Sequence, residues 1–200
     1  MNRTKLLLAT NNNGKLEELR ELLCEVPFEL VSPADIGLVL DVNESGHTYT
    51  TNARLKARAF ARTSDLLTLA DDSGLEVDAL DGAPGVLSSR YAGPDANDNQ
   101  RVAYLLARLK DIPWEKRNAR FLCVMAIASP RGQVRMCSGS CRGIITFEPQ
   151  GSNGFGYDPV FYIPKSGKTM AELPLEIKNR ISHRARAAKK ARVVLTGLRN

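Results

Sequence analysis

Four stretches of this 200-residue chain carry residue types that can do chemistry. In "LLLATNNNGKLEEL" (Leu6 to Leu19) an apolar run stops at Thr10, Asn11, Asn12, Asn13 and Gly14. Lys15 follows, and then leucines at helical spacing. A loop between a buried strand and a helix offers backbone N–H groups and the positive end of a helix, here with a lysine beside them, and that suits an anion such as phosphate. It is not the P-loop pattern, which needs two glycines and Lys-Ser/Thr at fixed spacing. Asn and Gly are also the ordinary residues of a turn, so the loop alone leaves both readings open.

In "LADDSGLEV" (Leu69 to Val77) two aspartates stand where an apolar strand is expected to end. Neighbouring strand residues point to opposite faces, so one of Asp71 and Asp72 can face a site while the other supports the turn. A simple Asx-turn through Asp71 and Ser73 is the alternative. Upstream, Glu44 precedes a turn, and Asn52 and Lys56 share one face of a helix at i, i+4. Carboxylates without histidines suit a hard, oxygen-seeking ion, Mg²⁺ or Mn²⁺, which takes one or two carboxylates plus substrate phosphates. The glycines of "GSNGFGYDPVF" (Gly151 to Phe161) let backbone pass close to a ligand, with Phe155 and Tyr157 offering rings and Asp158 an edge. A glycine-rich turn with packed aromatics fits the same residues. In "IKNRISHRARAAKK" Ser182 is an N-cap candidate that puts His183 and Arg184 in a first helical turn, where donors and the helix end favour electron-rich atoms.

The elements that must position these residues follow from periodicity. We expect a strand at 4–9, a helix at 14–24 capped by Asn13, and an extended piece near 28–31. A helix at about 49–63 comes next, then a strand Leu66 to Ala70 and a second from Leu75 to Ala79. "GAPG" reads as a turn, 98–109 as a helix, and Ala119 to Ala128 with Gln133 to Phe147 as a hairpin. A last helix after Ser182 places Ala188, Ala191, Leu195 and Leu198 on one face. The class is α/β with a mixed sheet, and the length fits a single domain over residues 1–200.

Composition narrows the options. The apolar run at the N-terminus is too short for a signal peptide or a membrane span. The four cysteines contain no Cys-x-x-Cys. Cys137 and Cys141, in one strand, are roughly 13 Å apart, so reduced thiols of a cytoplasmic protein are the simpler account. With two histidines, a zinc site is disfavoured. The net charge of +6 is local: Ile177 to Asn200 holds eight Lys or Arg and no acid, leaving the other 176 residues at −2. No nucleic-acid partner is expected, because a phosphate backbone meets Glu44, Asp71 and Asp72 first.

Together, "ATNNNGKLEEL", "NARLKA", "ADDSGLEVDALDGAPGVLSSRYAG", "NGFGYDPVF" and "SHRARA" resemble the inosine triphosphate pyrophosphatase family, from about residue 8 to about residue 187. That resemblance implies an elongated mixed β-sheet with flanking helices, in two lobes around a nucleotide-binding cleft, and a homodimer. It implies hydrolysis of deaminated purine nucleoside triphosphates (ITP, dITP, XTP) to the monophosphate and pyrophosphate, with Mg²⁺, or Mn²⁺, as cofactor. Carried over by motif, the loop Thr10 to Gly14 with Lys15 binds the triphosphate and Lys56 assists. Asp72 holds metal and acts as general base, Glu44 is the second metal carboxylate, and Ser73 touches substrate. Phe155, Gly156, Tyr157 and Asp158 receive the base, and Lys178, His183 and Arg184 complete its recognition. A related pyrophosphatase family acting on other modified nucleotides is the rival, and "SHR" with its donors argues against it. One departure stands out: Thr51 occupies a position where family members often carry Glu.

Overall fold

Leu6, Leu7 and Leu8 are fully buried in the computed structural model, which describes residues 4–198. They form β1 (Lys5–Leu8), which pairs in parallel with β2 (Glu29–Val31) and with β3 (Leu67–Val77). Parallel neighbours need a crossover, supplied here by α1 (Asn13–Leu22) and α2 (Tyr49–Ser64). Burial on both faces explains why β1 reads as an unbroken leucine run and does not alternate. After α3 (Asp98–Arg108) come the long strands β4 (Asn118–Ala128) and β5 (Val134–Ile145), and the short β6 (Phe161–Ile163) and β7 (Lys168–Thr169). The sheet runs β2-β1-β3-β4-β5-β6-β7, with β5–β6 and β6–β7 antiparallel, so it is mixed, as expected. The chain closes with α4 (Leu175–Ile181) and α5 (His183–Gly197).

The residues fall into two compact units. The first takes the chain up to Asp72, Cys123–Gly139 and the segment from Arg184. Its core packs Leu6, Leu8, Leu19, Leu69, Met125 and Ile127 with Ala187, Ala188, Ala191 and Leu195 of α5. The second takes Ser73–Leu122 and Ser140–His183, around Leu75, Leu105, Phe121, Ile145, Phe161 and Met170. Cys123, Cys137 and Cys141 are buried thiols, and Cys24 is exposed. No helix among the described residues is long and apolar enough to cross a membrane.

Several expectations need correction. The aspartates do not end a strand: β3 continues through Asp71, Asp72, Ser73 and Gly74 to Val77, and Asp78–Leu80 is a 3-10 turn. Two charges in a buried strand are costly, but cations on other elements neutralise Asp71 in place. Asn12, not Asn13, caps α1, its side chain accepting from the Lys15 N–H. Leu198 lies past the end of α5 and is exposed. The sequence reading also missed α4, β6, β7 and the 3-10 turns, all too short for periodicity to register.

Candidate active site

The first cluster follows from where β1 stops. β1 ends at Leu8, opposite Leu69, and the Ala9 N–H reaches the Leu69 carbonyl at 2.8 Å. β3 runs on, so Asp71 and Asp72 stand just beyond β1, beside the loop that enters α1. In that loop the Thr10 hydroxyl accepts from the Asn12 N–H at 3.2 Å, and Asn12 caps the helix at 2.9 Å from the Lys15 N–H. Asn11, Asn12 and Asn13 are exposed, and Gly14 is half-buried. The first turn of α1 then delivers the Lys15 ammonium to 3.2 Å from Asp71 Oδ2.

Asp71 is fully buried and is also met by Arg184, at the start of α5, whose other terminal nitrogen lies 2.5 Å from Glu18 Oε2. Glu18 sits three residues after Lys15 on α1, on the same face. The result is an alternating run, Lys15–Asp71–Arg184–Glu18, anchored at both ends on one helix. Burial alone raises the Asp71 pKa, but Lys15, Arg184 and Lys56 outweigh it and hold the carboxyl well below the usual range. Arg184 is correspondingly pushed up by Glu18 and Asp71 against its own burial. The Cys123 sulfur, 4.0 Å from Asp71, is pushed up to about 12, chiefly by burial, and stays a neutral thiol.

Asp72 projects to the other face of β3, as the pleat requires. Its Oδ2 accepts from the Asn52 side-chain amide at 3.1 Å, and Asn52 Oδ1 accepts from the Gly46 N–H at 2.8 Å. A Cβ at residue 46 would fall 2.5 Å from that same oxygen, so only glycine allows this close approach. One turn along α2, the Lys56 ammonium lies 2.5 Å from Glu44 Oε1. Asn52 thus ties Asp72 to the segment that bears Glu44. Burial raises the pKa of Asp72, and nearby Glu44 raises it further, against Lys15, Asn52 and Lys56. Lys56 is raised too, because Asp71, Glu44 and Asp72 more than offset its burial.

Asp72 and a second carboxylate, Glu44, near enough to raise its proton affinity, in an all-oxygen setting, fit a hard divalent cation completed by water and phosphate. No group of three or more His, Cys, Asp or Glu that could hold a metal ion gathers among the described residues. Thr51, which the resemblance marked as a departure, is the third residue of α2. Its N–H is 3.1 Å and its hydroxyl 2.9 Å from the Thr48 hydroxyl, so it takes part in capping that helix.

The second unit holds a different arrangement. Asp158 Oδ2 accepts from the Phe155 N–H at 3.0 Å and is ion-paired with Lys178, and both side chains are almost wholly buried. The Lys178 ammonium lies 4.9 Å from the centroid of the half-buried Phe155 ring. Gly154 and Gly156 have φ of 75° and 64°, which a side chain resists. Tyr157 is buried in the second core, and its hydroxyl donates to the Ser88 carbonyl at 2.9 Å. The His183 ring stacks on Phe121, 4.7 Å between centroids and 14° between planes.

The structure therefore groups Lys15, Glu44, Lys56 and Asp72 around β3, and Phe155, Gly156, Tyr157, Asp158 and Lys178 around one loop. Ser73 follows Asp72 on β3 and is half-buried. Two placements differ from expectation. Tyr157 packs in the core and presents no open ring face, and the Arg184 guanidinium is directed at Glu18 and Asp71. The sequence reading gave no role to Glu18 or Asn52. The signal for Glu18 was its place one turn after Lys15, and for Asn52 its place one turn before Lys56.

A sequence profile of the Ham1 family matches residues 6–194. The chain is 50% identical over 194 residues to the dITP/XTP pyrophosphatase of Desulforamulus reducens, covering 97% of this chain and 96% of that one. It is 46% identical to the protein of that name from Escherichia coli K12, covering 98% of each. Among solved structures, a HAM1 protein from Coxiella burnetii superposes with a TM-score of 0.88 at 42% identity, over 97% of this chain and 99% of that one.

Proposed function

Since this chain belongs to the Ham1 family, we propose that it hydrolyses deaminated purine nucleoside triphosphates (dITP, XTP and ITP) to the monophosphate and pyrophosphate. The motif resemblance to inosine triphosphate pyrophosphatases agrees with the family match and with the names of the relatives. The observation that carries the reaction is the first unit's cluster: lysines 15 and 56 interleaved with the carboxylates of Asp71, Asp72 and Glu44.

Each residue has a role in this reading. Lys15, with the Thr10–Gly14 loop and its N–H groups, holds the phosphates, and Lys56 stabilises charge that moves onto the pyrophosphate leaving group. Asp72 and Glu44 would hold Mg²⁺, with Mn²⁺ as a substitute. When bound, that ion neutralises phosphate charge and makes a water more acidic. The Asp72 carboxylate orients the attacking water and accepts its proton, with Asn52 fixing its rotamer. Ser73 contacts the substrate from the same strand.

Phe155, Gly156, Asp158, Lys178 and His183 read the base. A 6-oxo purine offers an acceptor where adenine offers an amino donor, and a mismatch of buried polar groups discriminates strongly. Tyr157 serves by fixing the loop, and Arg184 by holding Asp71. The resemblance further implies a cytoplasmic protein of one catalytic domain that forms a homodimer, and light scattering on the purified protein tests the dimer. The test of the reaction is a panel of dITP, XTP, ITP, GTP and ATP with Mg²⁺, reading pyrophosphate and orthophosphate separately. Pyrophosphate with the monophosphate is expected from the deaminated purines. Orthophosphate released directly, with a diphosphate, overturns the assignment.

A further inference from the structure

The "GAPGVLSSRYAG" motif and the start of α3 have no role in the reaction as described, yet both close on the glycine loop of the second unit. The Gly156 N–H donates to Asp98 Oδ2 at 2.7 Å, across 58 positions of sequence. The other oxygen of Asp98 is paired with Arg101. Arg101 also donates to the Ser89 carbonyl at 2.9 Å, and the neighbouring Ser88 carbonyl accepts from the Tyr157 hydroxyl at 2.9 Å. The circuit begins at Gly156 and returns to its neighbour, Tyr157.

We infer that Asp98 is a positioning residue for base recognition: its carboxylate sets the backbone of the loop at Gly156, and Arg101 sets the carboxylate. This rests on the reading of that loop given under the proposed function. Three features support it. Asp98 is the first residue of α3, and a capping box of Asn97 and Gln100 (2.8 and 3.0 Å) fixes the helix start independently of the loop. A carboxylate receiving a backbone N–H makes a charge-assisted bond, stronger than a neutral one. And glycine reaches φ 64° about as readily as a negative φ, so the bond from its N–H to Asp98 helps select the conformation that Gly156 holds. The Asp98 side chain keeps 42% of its surface exposed, so screening weakens its ion pair with Arg101, and the directional bond to Gly156 is the part that does the positioning.

The test compares Asp98→Ala with Asp98→Asn, whose amide oxygen still accepts from Gly156. Three quantities are read: kcat and KM for dITP, the dITP-to-dATP ratio of kcat/KM, and amide hydrogen exchange at Gly156. In Asp98→Ala we expect KM for dITP to rise about tenfold with kcat within about threefold, the ratio to fall about tenfold, and exchange at Gly156 to quicken. Asp98→Asn should restore all three to within about threefold of wild type. A general loss of folding lowers kcat on both substrates alike and moves the ratio little. That pattern overturns the proposal, as does unchanged exchange or an Asn variant no better than Ala. A wild-type enzyme inert towards dITP overturns the proposed function instead, whereas an active wild type with an indifferent Asp98→Ala overturns this inference alone.

Discussion

In the first unit's charged cluster the carboxylates are met by side chains: Asp71 by Lys15 and Arg184, Glu18 by Arg184, Glu44 by Lys56, and Asp72 by the Asn52 amide. In the second, Asp98 and Asp158 each give one oxygen to a backbone N–H of the same short loop, as well as meeting a cation. Side-chain ion pairs can redistribute when a charged ligand arrives, because each partner keeps its own rotamers. A carboxylate bonded to backbone fixes shape. The first arrangement suits a highly charged phosphate chain and its cation, and the second suits a neutral, flat group told apart by the pattern of its donors and acceptors. Lysines 15 and 56 and Arg184 face four carboxylates, which leaves the first cluster one negative charge over balance before any ligand enters.

The largest expected effect breaks the charged side of the comparison. Asp72→Asn keeps the shape of the side chain but removes the charge that holds the ion and takes the proton. Turnover of dITP should fall at least ~100-fold with the thermal midpoint little changed. A folded variant with near-normal turnover would remove Asp72 from both roles.

Next comes Arg184→Ala, which decides the side of the comparison to which Arg184 belongs. Losing the partner of two buried carboxylates should cost about 3–5 kcal/mol, read as a lower urea midpoint. Activity per folded molecule should then fall alike on dITP and dATP, since the residue acts on Asp71. Intact stability with a collapsed dITP-to-dATP ratio would return Arg184 to the base, where the sequence alone had put it.

The smallest effect concerns acid. The folded Asp71 carboxyl is held below its unfolded value of 3.8, so its contribution to stability is complete above that value and is lost as pH falls through and below it. Urea midpoints taken from about pH 6 to about pH 3 should show a drop below about pH 4 that is shallower in Asp71→Asn. An unchanged slope in that variant would show that other carboxylates carry the acid limb.

Much of this was legible in the chain because it was local. The β1–loop–α1 unit, the Asp71-Asp72 pair and the glycine loop each announce themselves within a dozen residues, through apolar periodicity and turn chemistry. What escaped depends on contacts between distant segments. Gly156 finds Asp98 across 58 positions, and Arg184 finds Glu18 across 166. An arginine at a helix start looks alike whether it faces a ligand or a buried carboxylate, and only the packing of α1 against the start of α5 decides it. The misplaced turn at Asp71 has the same cause: a charged pair reads as a strand end until its counter-ions, carried on other elements, are seen.

The distribution of sulfur has a practical consequence. Three thiols lie in the cores, one of them with its ionisation pushed up to about 12, and the fourth, Cys24, is exposed just past the end of α1. A maleimide dye added to the untouched wild-type protein should therefore attach at one position, with no need to engineer cysteines out. The label sits just past the end of the helix whose first turn holds the lysine assigned to phosphate, so its fluorescence offers a spectroscopic handle on nucleotide arrival, independent of turnover.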